Sequence, residues 1–188
     1  PGRPMTIEDH WNDIALYGLH DGIPRVIRVH FETARNLLLY SWHAYRFHQV
    51  AEMHAYSSVE YALRLKNKLA GKKKCRYLGP LLDRAFREGW LRDDGFRHYR
   101  ESVERRERYE EIESAVTGHP PEPPATPAIQ SFTSALSEHL PELRNKLAHG
   151  SPRMAPSGKR TLALCCDLIN QLFPPGMQTD VSLENSEH

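Results

Sequence analysis

Along most of this chain, apolar residues recur three or four positions apart, a spacing that predicts helices. Over Thr6 to Gly22 the pattern is mixed. Trp11, Ile14, Ala15 and Leu19 fall at helical spacing before Asp21-Gly22 and Pro24 interrupt it, so a short first helix is expected. From Val26 the periodicity is firm, carried by Val29, Ala34, Leu37, Leu38, Ser41 and Tyr45. Trp42, Tyr45 and Phe47 make its end aromatic, which reads as core rather than as a base-stacking platform. Ala51 to Leu69 forms the next helix, with Val59, Ala62, Leu63 and Leu69 on its apolar side and Gly71 as a stop signal. Gly79-Pro80 opens a helix over Leu81 to Glu88, with Leu82, Ala85 and Phe86 inward and Gly89 as a cap. After the turn at Asp93-Asp94-Gly95, Phe96 to Val116 reads as a long surface helix. Its stripe of Phe96, Tyr99, Val103, Ile112 and Val116 is broken at Arg106.

Gly118 to Pro127 carries Pro120, Pro121, Pro123, Pro124 and Pro127, a density that no helix survives, so an extended, stiff connector is expected there. The strongest register in the chain follows: Ile129, Phe132, Leu136, Leu140, Leu143 and Leu147 stay in phase straight through Pro141. A kinked helix, or a tight break with register kept, is expected at that proline. A loop from Ser151 to Gly158 leads to a last helix, Lys159 to Phe173, with Leu162, Cys165, Cys166, Ile169 and Leu172 inward and Pro174-Pro175-Gly176 as its stop. The expected architecture is a single all-α domain over residues 5–176. Residues 1–4 read as an artificial addition ahead of a native start at Met5, and 177–188 as a disordered tail.

The 188 residues suffice to bury roughly 70% of the unfolded surface. Basic and acidic residues nearly balance, 25 against 24, which excludes a globally cationic nucleic-acid coat and confines any RNA contact to a local patch. A mean hydropathy of −0.62, with no apolar run long enough for a membrane span, points to a soluble protein. Cys75, Cys165 and Cys166 form neither a Cys-x-x-Cys pair nor an even framework, so reduced thiols in a cytoplasm are expected.

Candidate chemistry gathers where the strongest register ends, in Leu143-Arg144-Asn145-Lys146-Leu147-Ala148-His149-Gly150. An Arg followed five to seven positions later by a His decides nothing alone, since Arg25/His30, Arg92/His98 and Arg3/His10 share it. The segment is set apart by Asn145 after the arginine, Ala148 before the histidine and the closing Gly150, all at a helix end. In these features it resembles the motif of the HEPN superfamily, small all-helical domains. The resemblance is sharp over these residues and elsewhere extends to helix order and general character. It implies a HEPN-like bundle of about five to seven helices, paired as a homodimer and acting as a metal-independent endoribonuclease. It also implies catalytic Arg144, Asn145 and His149, no cofactor, and a toxin or phage-defence role in which an antitoxin or regulatory protein is a candidate partner. Some domains of this kind are inactive pairing or nucleotide-binding modules, which is the alternative.

The residue types suit that chemistry. Histidine titrates near neutrality and serves as general acid or base, while a permanently charged guanidinium forks onto phosphate oxygens. Five helical steps leave Arg144 and His149 roughly 140° apart, on different faces, so a single helix cannot close both around one phosphate. A twofold pair can, which gives a physical reason to expect two copies. The same residues also make good helix-ending chemistry, with cations near a C-terminus and a glycine after it.

Between Glu60 and Asp83 there is no acidic residue, while Arg64, Lys66, Lys68, Lys72, Lys73, Lys74 and Arg76 fall in that interval. Two readings stand: a resting place for a phosphate backbone, or a solvated loop that complements a helix end. Lys72, Lys73, Lys74 and Arg76, with Lys146 of the motif, are the candidate RNA contacts. No metal-binding pattern, nucleophile elbow or phosphate-binding glycine loop occurs, and no metal site is expected.

Overall fold

The computed structural model describes residues 3–117, 132–149 and 157–176, and within them the secondary structure is entirely helical. Seven α-helices run in chain order. They are α1 (Ile7–Ala15), α2 (Arg25–Tyr40), α3 (Phe47–Leu69), α4 (Leu78–Arg87), α5 (Arg97–Thr117), α6 (Phe132–Ala148) and α7 (Gly158–Leu172), with a 3-10 turn at Asp93–Gly95 before α5. The all-α bundle expected from periodicity is what forms. The proline-rich segment 118–127, Ile129, Gly150 and the tail 177–188 lie outside the described residues.

α3 is the element on which the others pack, touching α2, α7, α4 and α6. Half of its buried side chains are small: Ala51, Ala55, Ser58, Val59 and Ala62 let neighbouring backbones approach closely, and Tyr56, Leu63 and Leu65 are the larger apolar ones, with Glu52 and Asn67 the polar pair. α2 answers with Ile27, Phe31, Ala34 and Leu38, and α7 with Leu162, Cys165, Cys166, Leu168, Ile169 and Leu172. The inward set expected for α7 is therefore the observed one. The three cysteines are free thiols, and burial pushes the Cys166 thiol up to about 11.

The buried face of α2 differs from the expected one. Val29 is 56% exposed, whereas Ile27 and Phe31 are inside. The apolar spacing admitted two faces, and contact with α3 selects the one that carries the aromatic ring. The helix also ends at Tyr40, and α3 begins at Phe47, four residues ahead of its expected start. Trp11, expected inward, is exposed, and His10 is buried in its place, with its Nε2 3.0 Å from the Leu38 carbonyl at the end of α2. α1 is closed at its start by a capping box in which Asp9 N–H donates to Thr6 Oγ1 and Thr6 N–H donates to Asp9 Oδ2.

Two glycines perform the stops assigned to them. Gly71, at φ +64°, ends α3: its N–H donates to the Lys68 carbonyl and the Lys72 N–H to the Asn67 carbonyl, a pairing that reverses the chain. Gly89, at φ +68°, does the same after α4. Pro141 lies inside α6 and the helix continues through it, its ring facing Gly79 of α4, where a methyl group would stand 3.7 Å from Pro141 Cγ. α5 has no buried residue, and its expected stripe is unburied beyond Val103, with Ile112 and Val116 exposed.

α7 starts against α2 and α3 so closely that a side chain at Gly158 would meet Leu38 Cδ1 at 2.5 Å and His48 Nδ1 at 2.9 Å. Next to it, Ser157 Oγ donates to the buried Glu52 carboxylate at 2.7 Å. Gly158→Ala is expected to lower stability by about 1–3 kcal/mol through overpacking. Urea unfolding checks this, as a lower midpoint with an unchanged slope. Burial also pushes the Glu52 carboxyl above its ordinary value. The folded state therefore keeps that proton longer than the unfolded chain, and stability falls as pH rises through the folded value. In Glu52→Gln this fall should flatten. Identical pH slopes in the two proteins would exclude Glu52 as its source.

Candidate functional site

The loop after α3 and the last turns of that helix form an open cleft of about 880 Å³ lined by Arg64, Lys68, Lys72, Lys74 and Arg76, among others. The reversal at Gly71 is what brings the loop cations back beside those of the helix. The loop is then stapled from below. Arg84 of α4 donates to Asn67 Oδ1 and, at 2.9 Å, to the Lys73 carbonyl, while Asn67 Nδ2 donates to that carbonyl at 3.1 Å. Asn67 is 3% exposed. The backbone holding the cations is thus fixed although their side chains reach solvent.

Each cation expected to meet RNA has a definite place. Lys72, Lys74 and Arg76 line the cleft. Lys72 also pairs with Glu88 at 2.8 Å and holds that carboxyl below the usual carboxylate range. Lys73 contributes its backbone carbonyl to the staple, and its side chain is not part of the lining. Lys146 pairs with Glu142 one turn earlier on α6, at 2.7 Å, away from the lining. Lys66, from the same acid-free interval, turns aside to lie over the rings of Trp90 and Phe173 at 5.7 and 5.8 Å.

α6 reaches this region by packing on α4 and α3 through Leu140, Leu136 and Leu147. Leu143, expected in the same stripe, is 48% exposed. From Leu140, Leu143 lies about 60° to one side and Arg144 about 40° to the other, and the packed face is tilted toward the arginine. Arg144 Nη2 thereby reaches Glu60 Oε2 of α3 at 3.2 Å, while the other oxygen of the same carboxylate takes Arg64. Arg64 in turn donates to the Arg76 carbonyl at 3.0 Å. One carboxylate, largely buried, therefore ties the motif arginine to an arginine of the basic cleft.

Asn145 is exposed, and its Oδ1 accepts from Arg144 Nη1 at 3.3 Å. Arg144 Nε is buried with no acceptor among the described residues. His149 follows the last helical turn, its N–H donating to the Asn145 carbonyl at 3.0 Å, and is exposed. In this chain Arg144 is held and His149 stands in solvent. The arrangement brings together a fixed guanidinium, an accessible imidazole on the same helix end and a neighbouring cationic cleft.

Glu60 and Arg64 were not singled out as site residues by sequence. Their signal was present: Glu60 is the last acid before a run of bases, and Arg64 lies one turn after it on the same helix face. Only the packing of α6 reveals that the acid faces a second arginine. Among the described residues no cluster of three His, Cys, Asp or Glu side chains is arranged to hold a metal ion, and no helix is long and apolar enough to cross a membrane.

Comparison of the chain with family models, with curated proteins and with solved structures returned no match. The residues themselves therefore carry the functional argument.

The shared carboxylate should appear as coupling. Glu60→Ala and Arg144→Ala, separately and together in a denaturant double-mutant cycle, are expected to show an interaction of about 1 kcal/mol. Additive effects would mean that the pair carries no net energy.

Proposed function

We propose that this chain is a HEPN-type, metal-independent endoribonuclease of the cytoplasm whose site is completed by two copies. The observation that carries the reading is the Glu60 carboxylate, which bridges Arg144 of the motif helix to Arg64 of the cationic cleft. It sets a guanidinium suited to a scissile phosphate beside a surface suited to the flanking ones. Arg64, Lys68, Lys72, Lys74 and Arg76 hold the RNA backbone. Arg144 exchanges its carboxylate partner for phosphate and stabilises the charge that develops on phosphorus.

The exposed His149 takes the proton from the 2′-hydroxyl as that oxygen attacks phosphorus. The bond from phosphorus to the 5′-oxygen breaks, and an imidazole from the second copy protonates the leaving oxygen. The products are a 2′,3′-cyclic phosphate and a 5′-hydroxyl. Two copies are needed because Arg144 and His149 leave the helix about 140° apart. The half-exposed Leu143, next to the motif arginine, offers apolar area for the pairing. The toxin or phage-defence role and an antitoxin or regulatory partner rest on the resemblance of the Arg144–Gly150 segment alone.

A second reading, a non-catalytic HEPN-like module that dimerises or binds a nucleotide or protein partner, draws on a specific feature. Both terminal nitrogens of Arg144 already have partners, Nη2 in Glu60 and Nη1 in Asn145, as in a structural ion pair.

Incubation with structured and unstructured RNA in chelator separates the two. His149→Ala is expected to lose about 10²- to 10⁴-fold in cleavage rate while keeping its oligomeric state. Charge reversal of Lys72, Lys74 and Arg76 should weaken binding and reduce the salt slope by about 0.7 per lost phosphate contact on a single strand. Cleavage of equal rate in wild type and His149→Ala would point to a contaminant and leave the non-catalytic module.

A further inference from the structure

The face of α2 that carries the exposed Val29 is rich in arginine. Arg25, Arg28, Val29, Glu32 and Arg35 follow one another at helical spacing along the face of α2 turned away from α3. Together with the edge of Phe31 they line a pocket of about 360 Å³, closed on its other side by Gly18 and Leu19. The Gly18 carbonyl accepts from Asn170 Nδ2 and Cys166 Sγ of α7, both at 3.4 Å, so this opposite wall is fixed before any ligand arrives.

The electrostatics of the pocket are unbalanced. Three guanidiniums face one carboxylate, that of Glu32, which Arg35 holds at 2.7 Å. Arg28 reaches the fully exposed Asp21 at 2.9 Å, and Arg25 has no ion-pair partner among the described residues. Like charges three apart on a helix repel, so the sequence accepts a cost here that a bound anion removes. In addition, Nε of both Arg28 and Arg35 is buried with no acceptor among the described residues, so neither guanidinium is fully satisfied. Val29, 56% exposed in an otherwise charged face, supplies an apolar wall with no other evident role.

We propose that this pocket binds a small organic phosphate monoester. A dianionic head matches the excess positive charge and the forked donors of Arg25, Arg28 and Arg35, and an apolar or aromatic body lies against Val29, Leu19 and Phe31. The site is separate from the cleft beside Arg144, being built from α2 and the Gly18–Leu19 loop.

Calorimetric titration with phenyl phosphate, inorganic phosphate and benzoate at matched ionic strength tests it. Phenyl phosphate is expected to bind saturably and more tightly than either of the others. Arg25→Gln and Arg35→Gln should each weaken it by about tenfold or more, the effect of losing a charge-assisted bond. Val29→Glu should abolish it without moving the unfolding midpoint, because that side chain lies outside the core. Arg105→Gln, on the exposed α5, should change nothing. Absence of saturable phenyl phosphate binding, an equal loss in Arg105→Gln, or benzoate binding as tight as phenyl phosphate would each overturn the proposal.

Discussion

The packing of α2, α4, α6 and α7 is arranged by the need to surround α3. A helix buried on several sides must present short side chains where backbones cross, and Ala51, Ala55, Ser58, Val59 and Ala62 do so. Those residues set how near α2 and α7 come, and the same closeness forces a glycine at position 158. Two of the polar groups caught in the packing on α3 have partners: Ser58 Oγ donates to the His54 carbonyl, and Glu52 accepts from Ser157. This agrees with the general cost of leaving such groups unpaired in an apolar interior.

The candidate site is a product of how that central helix ends. Toward its C-terminus α3 leaves the core, and its exposed face becomes cationic through Arg64 and Lys68. The left-handed Gly71 then folds the next cations back alongside, and Arg84 fixes them there from a different helix. α6 arrives with its packed face rolled toward Arg144. Glu60 then joins the two groups of cations, which the sequence presents as separate candidates.

How much of this was legible in the sequence follows from which forces are local. Helix positions, the stops at Gly71 and Gly89, and the inward set of α7 are written in spacing and backbone permissiveness, and these were readable. Which of two acceptable faces is buried depends on a partner helix distant in sequence. For that reason the spacing points to Val29 and Leu143 as inward, while in the fold Phe31 and Arg144 take the inward positions. Burial of His10 in place of Trp11 has the same origin: the imidazole finds a carbonyl at the end of α2, and nothing within α1 announces that acceptor. The Arg144–His149 pattern could be seen as a string. The carboxylate across from it could be found only after two helices had met.

α5 stands apart from the rest of this account. A helix of its length extends about 30 Å, yet none of its side chains is fully buried, and it packs on the common interior near its start through Tyr99. The Arg97 N–H is also anchored on Asp167 of α7, and beyond that start what keeps the helix wound is its own backbone ladder and short-range pairs such as Arg106 with Glu110. Coil and helix are therefore separated along that rod by far less free energy than the bundle needs to come apart, and its outer half can lose its winding while every other helix stays docked.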